Sequence, residues 1–355
     1  TLGRWLAVQG SEAIQPAGPG TVEAITGHGS DRRFWRLEVG DWSAVALLSD
    51  PADPEFARGA DIAVFLHERE LGGAGLLLRD EASGALLSED LGRTSLYDLA
   101  RNPDEDPGPW YRKVIGHLIA LQKATGEARR SCPAAVDRRL DLEALRWETD
   151  YFRTRFLREH MGFDPESTPG LAHEFDAINK AVEAQPVVLL HRDFQSQNII
   201  VRDGGEIGLV DVQGMRLGPV GYDVMSLVLD PYVDLQSELR TELVQEWTEG
   251  AAGLPILADH SAAQLRAMAT AAGLQRLMQA LGAYGYLGRV KGKREFLAHV
   301  PTALDRLREL VGEANSFASP SSSWLPSSLV TLEGWLERCG DGSQYRPLDE
   351  NGQDE

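Results

Sequence analysis

One stretch of the sequence, residues 187–223, limits the possible folds of this 355-residue chain more than any other part. Its apolar start, residues 187–190, predicts a buried strand that ends at a cluster of polar residues. A second apolar run, residues 199–201, is followed by Asp-Gly-Gly at 203–205, a strong signal for a β-hairpin turn. The returning strand covers residues 207–210. We therefore expect a strand and a hairpin whose ends meet in one place.

Three polar residues follow the ends of these strands: Asp193, Asn198 and Asp211. Phosphoryl transfer from ATP requires a carboxylate that orients the attacking hydroxyl, together with oxygen ligands that hold magnesium against the triphosphate. A hairpin whose polar residues only cap turns is the simpler interpretation. It does not explain His191 ahead of the first Asp, nor Gly-Pro-x-x-Tyr-Asp at 218–223. The pattern therefore favours a kinase active site.

The same residues resemble known kinase motifs. His-Arg-Asp-Phe-Gln-Ser-Gln-Asn at 191–198 resembles the catalytic loop of the protein-kinase-like superfamily, and Asp-Val-Gln at 211–213 stands in the place of its metal-binding Asp-Phe-Gly. Leu-Gly-Pro-Val-Gly-Tyr-Asp at 217–223 resembles the branch of aminoglycoside phosphotransferases and choline kinases. Over roughly residues 1–312 the chain is similar to the bacterial N-acetylmuramate/N-acetylglucosamine anomeric sugar kinases of that branch.

The resemblance implies an α+β, bilobal protein-kinase-like fold, with a small N-terminal antiparallel-sheet lobe and a larger, mostly helical C-terminal lobe. We expect a nucleotide-binding lobe with its hinge at residues 1–92 and a catalytic, substrate-binding lobe at 93–312. Residues 313–355 are rich in Ser and Pro and end acidic, which predicts a linker and tail, either free or with one docked helix.

The resemblance also assigns roles within the central stretch. Asp193 is the expected catalytic base, and Asn198 and Asp211 are the expected ligands of Mg²⁺, with ATP as co-substrate. His191 supports the loop by hydrogen bonding, and Asp223 is a buried structural carboxylate that bonds the catalytic-loop backbone.

The nucleotide is expected on a glycine loop between the first two strands. Gly27 and Gly29 would let the backbone approach the phosphates closely, and Ser30 would add a donor. The third strand, residues 44–48, lacks the lysine that protein kinases use for the α- and β-phosphates. We expect either Arg32 or Arg33 to replace its charge; the alternative is that both form surface ion pairs. The hinge, which includes Glu89 and Leu91, would bind adenine through its backbone.

The acceptor is expected against two helices. Residues 140–159 form an aromatic-striped helix, and in the kinases that this chain resembles the matching helix lies near the sugar, so Trp147, Glu148 and Tyr151 are substrate candidates. Arg276, on a long apolar helix, could face the same cleft or be a satisfied buried group. An aromatic stripe with helical spacing is also typical of a core.

Composition excludes several functions. A formal charge of −19 opposes nucleic-acid binding, because phosphate backbones require a basic surface. Two cysteines suit neither a disulfide framework nor a metal cluster. The sequence has no apolar run long enough for a membrane helix, so we expect no membrane partner and a cytoplasmic location. The pattern leaves the oligomeric state open.

The resemblance therefore implies an ATP-dependent kinase of cell-wall recycling, a transferase that phosphorylates the anomeric hydroxyl of an N-acetylated amino sugar. Two departures bear on this prediction. Gln195 replaces the lysine that follows the base in protein kinases, and Gly214 replaces the last acid of the Asp-Phe-Gln-Asp common in the sugar kinases. An aminoglycoside or choline-type kinase, with a cationic acceptor, and a nucleotide-binding pseudokinase remain as alternatives.

Overall fold

The computed structural model describes residues 20–25, 32–317, 324–326 and 328–339. Gly27, Gly29 and Ser30, three of the predicted nucleotide-binding residues, lie outside these ranges. Within the described ranges no helix combines the length and the apolar character needed to span a bilayer.

The N-terminal part is a five-stranded antiparallel sheet with the order β1-β2-β3-β5-β4. Its strands are β1 Thr21–Ile25, β2 Arg33–Val39, β3 Trp42–Leu48, β4 Leu76–Asp80 and β5 Ala85–Glu89. The register places Leu37 opposite Ala44 and Trp35 opposite Ala46, so that these four side chains share one face. The buried core of the sheet is small and consists of Leu37, Ala44, Ala46 and Leu87.

Helix α1, Pro54–Glu68, connects β3 to β4. Its start follows from local chemistry, because the Asp53 side chain accepts a hydrogen bond from the Glu55 backbone N–H and proline occupies the first helical position. Phe56, Ile62 and Phe65 are buried along one side of the helix.

The remainder of the chain is mainly helical and forms one large apolar core. Its α-helices are α2 Leu96–Arg101, α3 Gly108–Lys123, α4 Thr125–Ser131, α5 Pro133–Val136, α6 Leu142–Tyr151, α7 Pro169–Glu183, α8 Tyr222–Val228, α9 Ser237–Ala251, α10 Ala262–Gly285, α11 Val300–Phe317 and α12 Val330–Arg338. Two π-helical segments, Phe152–Arg158 and Tyr286–Val290, continue α6 and α10.

Two short β-pairs lie against these helices and carry the central stretch. Strand β6, Val187–Leu190, pairs with β9, Arg216–Pro219, and β7, Ile199–Val201, pairs with β8, Ile207–Leu209. The hairpin is where the Asp-Gly-Gly signal predicts it. Strand β9 is not predicted by the sequence pattern, because its partner β6 precedes it by almost thirty residues and no turn signal links the two.

The predicted helix at residues 140–159 is divided in the structure. It is α-helical only up to Tyr151 and continues as the π-helix Phe152–Arg158. Helix α10 passes very close to it: a Cβ at Gly282 would lie 3.0 Å from the Phe152 backbone nitrogen, and one at Gly285 would lie 2.4 Å from the Arg155 carbonyl oxygen. Two glycines on α10 therefore permit this approach.

The C-terminal helix α12 docks on the large lobe. The buried Glu174 carboxylate accepts hydrogen bonds from the backbone N–H groups of Thr331 (2.8 Å) and Leu332 (2.7 Å), at the start of the helix. Trp335 packs edge-on against Phe152, with 6.4 Å between the ring centroids. The helix expected in the tail is thus present and packed on the body.

Candidate active site

Asp193 stands in the loop that follows β6, at the wall of a cavity of about 670 Å³. Its neighbour Arg192 has a φ of 78°, a left-handed conformation that is uncommon outside glycine and that turns the chain sharply before the carboxylate. Asp211 lines the same cavity and also has a left-handed backbone, with a φ of 61°. Two strained residues therefore flank the place where the sequence predicts chemistry.

Asp223 holds the catalytic loop from beneath. It is fully buried, and its carboxylate accepts hydrogen bonds from the backbone N–H groups of His191 (2.6 Å) and Arg192 (3.0 Å). Burial raises the pKa of Asp223 to about 7, against the lowering effect of these two hydrogen bonds. The contacts are those expected of a structural carboxylate.

His191 is also fully buried, and its Nε2 lies 2.9 Å from the Val210 carbonyl oxygen. Burial lowers the pKa of His191, so the ring is neutral at physiological pH and donates from Nε2. The ring thus ties the end of the hairpin to the catalytic loop, next to Asp211.

A second buried carboxylate, which the sequence did not reveal, holds the other end of the loop. Asp230 accepts hydrogen bonds from the Ser196 backbone N–H (2.8 Å) and hydroxyl (2.5 Å), and Arg306 donates to the Asp230 carbonyl oxygen. Asp230 follows α8 and Arg306 belongs to α11, so distant helices fix the backbone that carries Asp193. An Asp before Pro231 looks like an ordinary helix terminator in the sequence.

Asp211 lines the cavity, and Asn198 lies next to it on the Asp193 loop. The Asn198 side-chain nitrogen donates to the Asp193 carbonyl oxygen at 2.9 Å, which leaves the amide oxygen without a hydrogen-bond donor among the described residues. Asp211 is exposed, and one of its oxygens accepts from the Gln213 side chain. A carboxylate and an amide oxygen are hard ligands of the kind that Mg²⁺ prefers. Within the described ranges no three or more His, Cys, Asp or Glu side chains are grouped so that they could hold a metal ion.

Arg58 from α1 supports the segment after Asp211. The buried guanidinium donates to the carbonyl oxygens of Gln213 (2.9 Å) and Met215, and it pairs with Asp137. The small lobe thus fixes the chain beside the metal-ligand candidate. Sequence analysis missed Arg58 because its acceptors are about 155 positions away and are backbone atoms, which leave no pattern in the sequence.

Positive charge surrounds Asp193. Its carboxylate oxygens lie 3.4 Å from Arg192 and 3.7 Å from Arg276, and Arg216 on β9 lines the same cavity. Burial by itself would raise the pKa of Asp193, but Arg192, Arg276 and Arg216 outweigh it and hold the pKa below the ordinary value of 3.8. Asp193 is therefore ionised at any pH near neutrality.

The helix candidates for substrate binding separate into two kinds. Glu148 is only 1% exposed and accepts hydrogen bonds from the Tyr222 hydroxyl (3.2 Å) and from Gln275 (3.3 Å). Burial raises the pKa of Glu148, with Arg192, 3.6 Å away, acting in the opposite direction. Glu148 therefore forms the layer behind Arg192. Arg276 is likewise buried, and it donates to Ser226, Gln279 and Gln195.

Trp147 and Tyr151 face outward instead. Trp147 is 59% exposed and stacks on Tyr151, with ring centroids 5.1 Å apart and ring planes within 13°. Tyr286 continues the array at 5.9 Å from Tyr151. This exposed aromatic face lies on the same helix as Glu148 and is available to a ligand.

The two arginines expected to replace the missing lysine differ in position. Arg32 lines the cavity and donates to Asp53, the N-cap of α1, at 3.0 Å. Arg33 is exposed and lies over the Trp35 ring, 5.6 Å from its centroid, and it does not line this cavity. Arg138 also lines the cavity and pairs with Glu55, a contact that the sequence did not predict.

The hinge residues lie between the sheet and the hairpin. The Glu89 backbone N–H donates to the Gly75 carbonyl oxygen at 2.7 Å, and its side chain pairs with Arg202. The Leu91 backbone makes no hydrogen bond among the described residues, so its N–H and carbonyl groups are free for a ligand. The Leu91 side chain is buried close to Gly208 of β8.

Comparison with known proteins identifies the class. A family model described as the phosphotransferase enzyme family, APH, matches residues 21–260. The chain belongs to this family, and it is a kinase that uses an alcohol group as acceptor.

Three individual proteins show what this chain is similar to within and beyond the family. The chain is 26% identical over 312 residues to the N-acetylmuramate/N-acetylglucosamine kinase of Pseudomonas aeruginosa, covering 85% of this chain and 89% of that protein. The kinase of the same name from Neisseria meningitidis serogroup B is 26% identical over 287 residues, covering 79% and 82%. Choline kinase from Cryptosporidium parvum is similar in structure, with a TM-score of 0.60 at 11% identity, covering 89% and 99%. The bilobal kinase-like fold and the resemblance noted in the sequence are both confirmed.

Proposed function

We propose that this protein transfers the γ-phosphoryl group of ATP to the anomeric hydroxyl of an N-acetylated amino sugar of the N-acetylmuramate or N-acetylglucosamine type. The observation that carries the proposal is the ionised Asp193, ringed by arginines at the wall of the cavity beside Asn198 and Asp211. The names of the relatives at 26% identity supply the choice of sugar.

Asp193 orients the acceptor hydroxyl and takes its proton as the bond to phosphorus forms. A carboxylate with a lowered pKa is a weak base, and its contribution grows as the acceptor becomes more acidic. A hemiacetal hydroxyl is more acidic than an ordinary alcohol. The electrostatics of Asp193 therefore favour an anomeric acceptor over the primary alcohol of choline.

Asn198 and Asp211 would hold Mg²⁺ through the amide oxygen and the exposed carboxylate. Phosphate oxygens and water would supply the other ligands, as is usual for this ion. When bound, Mg²⁺ neutralises charge on the triphosphate. His191, Asp223 and Arg58 keep the two ligands in place.

On the nucleotide side, Gly27, Gly29 and Ser30 are proposed to cradle the phosphates, with Arg32 rather than Arg33 as the cation that replaces the lysine. Arg32 is the better candidate because it lines the cavity. The free backbone groups of Leu91, and the carbonyl of Glu89, are the proposed adenine contacts.

On the acceptor side, the exposed ring of Trp147, stacked on the partly exposed Tyr151, offers a flat surface for the apolar face of a sugar. Glu148 and Arg276 act indirectly, because Glu148 holds Arg192 and Arg276 holds Asp193. The arginines around Asp193 oppose a cationic acceptor, so an aminoglycoside or choline is the weaker candidate.

The test is a coupled ADP-release assay with ATP and Mg²⁺ over N-acetylglucosamine, N-acetylmuramate, glucosamine, glucose, choline and kanamycin. We expect turnover on an N-acetylated sugar and an acid-labile product, which marks phosphate on the anomeric oxygen. Turnover confined to choline or kanamycin would contradict the proposal. ATP binding without turnover on any acceptor would instead support the pseudokinase alternative.

A further inference from the structure

Arginines line the cavity from several sides, and most of them have acidic partners. Arg32 pairs with Asp53 at 3.0 Å, Arg138 pairs with Glu55, and Arg192 lies 3.4 Å from Asp193 and 3.6 Å from Glu148. Their charges are therefore compensated within the protein.

Arg216 differs from these arginines. No carboxylate lies within 4.0 Å of it among the residues that the structure describes, and its one hydrogen bond there runs from Nε to the Gly214 carbonyl oxygen at 3.0 Å. The two terminal nitrogens of the guanidinium make no hydrogen bond to any described residue, although the side chain is partly buried. A partly buried guanidinium normally uses its fork of donors on an acceptor.

Arg216 lies close to Asp193 in the wall of the cavity. It stands two residues after Gly214, where a Cβ atom would be 3.9 Å from the Asp193 carboxylate. After burial, the groups that act on it most strongly are Arg192, Glu148, Asp193 and Tyr222. Burial and the nearby Arg192 lower the pKa of Arg216, but an arginine with so high an ordinary pKa stays charged at neutral pH.

Positive charge predominates in the immediate surroundings of Asp193, although Asp50, Asp53, Glu55 and Asp211 also line the cavity. Arg192, Arg216 and Arg276 surround Asp193, and Glu148, the acid behind Arg192, is one whose pKa burial raises. Like charges so close together favour the arrival of an anion, and a guanidinium offers two parallel donors that match a carboxylate.

We infer that Arg216 binds an anionic substituent of the acceptor, a carboxylate carried on the sugar beside the reacting hydroxyl. The inference rests on the proposed function and narrows it: of the two N-acetylated sugars considered, the preferred acceptor is N-acetylmuramate, whose lactyl ether carries a carboxylate that N-acetylglucosamine lacks. Phosphoryl transfer remains the work of Asp193, and Arg216 selects the acceptor.

The experiment compares wild-type enzyme with Arg216→Gln and Arg216→Lys on both sugars, with KM for ATP measured in parallel. In Arg216→Gln we expect KM for N-acetylmuramate to rise by about 10- to 150-fold, the range for a lost hydrogen bond to a charged group, and KM for N-acetylglucosamine to change by less than about 2-fold. Arg216→Lys keeps the positive charge but loses the two parallel N–H donors of the guanidinium. It should therefore retain part of the preference for N-acetylmuramate over N-acetylglucosamine.

A matched control removes one positive charge elsewhere. Arg112 on α3 is 40% exposed and pairs with Glu242 and Glu246, so Arg112→Gln should leave both KM values unchanged. Melting curves of all variants test whether they fold. An equal loss on both sugars, or a rise in KM for ATP, would overturn the inference, because Arg216 would then serve the fold or the nucleotide phosphates.

A second pair of acceptors separates this inference from the proposed function. Suppose that the wild type phosphorylates neither N-acetylated sugar but prefers glucuronate to glucose, and that Arg216→Gln abolishes this preference. The proposed N-acetylated acceptor would then be wrong, and the proposal that Arg216 binds a carboxylate would be supported. If the wild type turns over N-acetylated sugars and Arg216→Gln shows no change in preference, the proposed function stands and the site is wrong.

Discussion

Two regions border the catalytic cavity, and they are stabilised in different ways. The catalytic loop, residues 191–198, is held by two fully buried carboxylates, Asp223 and Asp230, which accept hydrogen bonds from its backbone. The N-terminal sheet is held by its backbone ladders and by a small apolar cluster of four buried side chains, and four of the five residues of β1 are exposed. The loop is thus fixed by buried side-chain carboxylates of the large lobe, and the sheet by its own backbone pairing and a small apolar cluster.

The difference suggests that the two regions need different precision in the positions of their side chains. Transfer of a phosphoryl group requires its groups to be positioned within fractions of an ångström, which hydrogen bonds to buried carboxylates can provide. If the sheet binds the nucleotide mostly through its backbone, as proposed, its side chains need less precise positions. Substitutions should therefore be costly around the loop and mild on the outer sheet.

The largest effect is expected at Asp193. Replacing it by Asn removes the carboxylate that orients the acceptor hydroxyl and accepts its proton. We therefore expect kcat to fall by about 10²- to 10⁴-fold. Steady-state kinetics measure the loss, and circular dichroism should show an unchanged fold. A variant with near-normal kcat would mean that the loop does not carry the chemistry.

Next in size is the anchor beneath the loop. Asp223→Ala leaves two buried N–H groups without an acceptor, which should lower the free energy of unfolding by about 3–5 kcal/mol and reduce kcat as well. Urea denaturation with a parallel activity assay tests both. If stability drops but kcat per folded molecule does not, Asp223 supports the core without positioning Asp193.

The same carboxyl makes stability depend on pH. The pKa of Asp223 in the folded protein is about 7, above the unfolded value, so its neutral form favours folding and this contribution fades as the pH rises from 4 through 7. Asp223→Asn cannot ionise. The unfolding free energy of the wild type relative to Asp223→Asn should therefore decrease by about 4 kcal/mol across that interval. A constant or rising difference in denaturation series would show that the hydrogen bonds, and not burial, control this group.

Arg58 tests the junction between the two regions, because it comes from the small lobe and holds the segment after Asp211. Arg58→Met keeps much of the packing but leaves buried carbonyl groups unbonded, so we expect a loss of about 2–3 kcal/mol and roughly a 10-fold lower kcat. The control is Arg69→Met, at the end of the same helix, where exposed Glu68 and Glu127 are the partners and the stability change should be below about 1 kcal/mol. Equal effects of the two substitutions would contradict the role given to Arg58.

The smallest effect is expected on the outer sheet. Val22 on β1 is 65% exposed, and Val22→Thr should change stability by less than about 0.5 kcal/mol and leave kcat intact. Thermal melting and the kinase assay measure both quantities. A large loss would show that the outer sheet is as constrained as the loop.

Much of this architecture could be predicted from local sequence. The hairpin follows from Asp-Gly-Gly at 203–205, α1 from Asp53 and Pro54 at its start, and the support that Asp223 gives the loop from the resemblance to kinases. The exceptions are strand β9, which pairs with the distant β6, and the helix at 140–159, whose π-helical continuation depends on a second helix packed against it. Periodicity reports which face of an element is buried, but not what packs on it.

The site divides in the same way. By itself the sequence predicted the candidate catalytic and metal-binding groups, because Asp193, Asn198 and Asp211 follow strand ends at short spacings that a rigid hairpin must bring together. Only the tertiary structure decided the setting of those groups: Asp230 and Arg58 as anchors, Glu148 behind Arg192, and Arg216 without an acidic partner among the described residues. Such contacts join residues tens to more than a hundred positions apart. Which side chain completes a hydrogen bond, and which charge stays uncompensated, therefore depends on how the core packs and on no pattern along the chain.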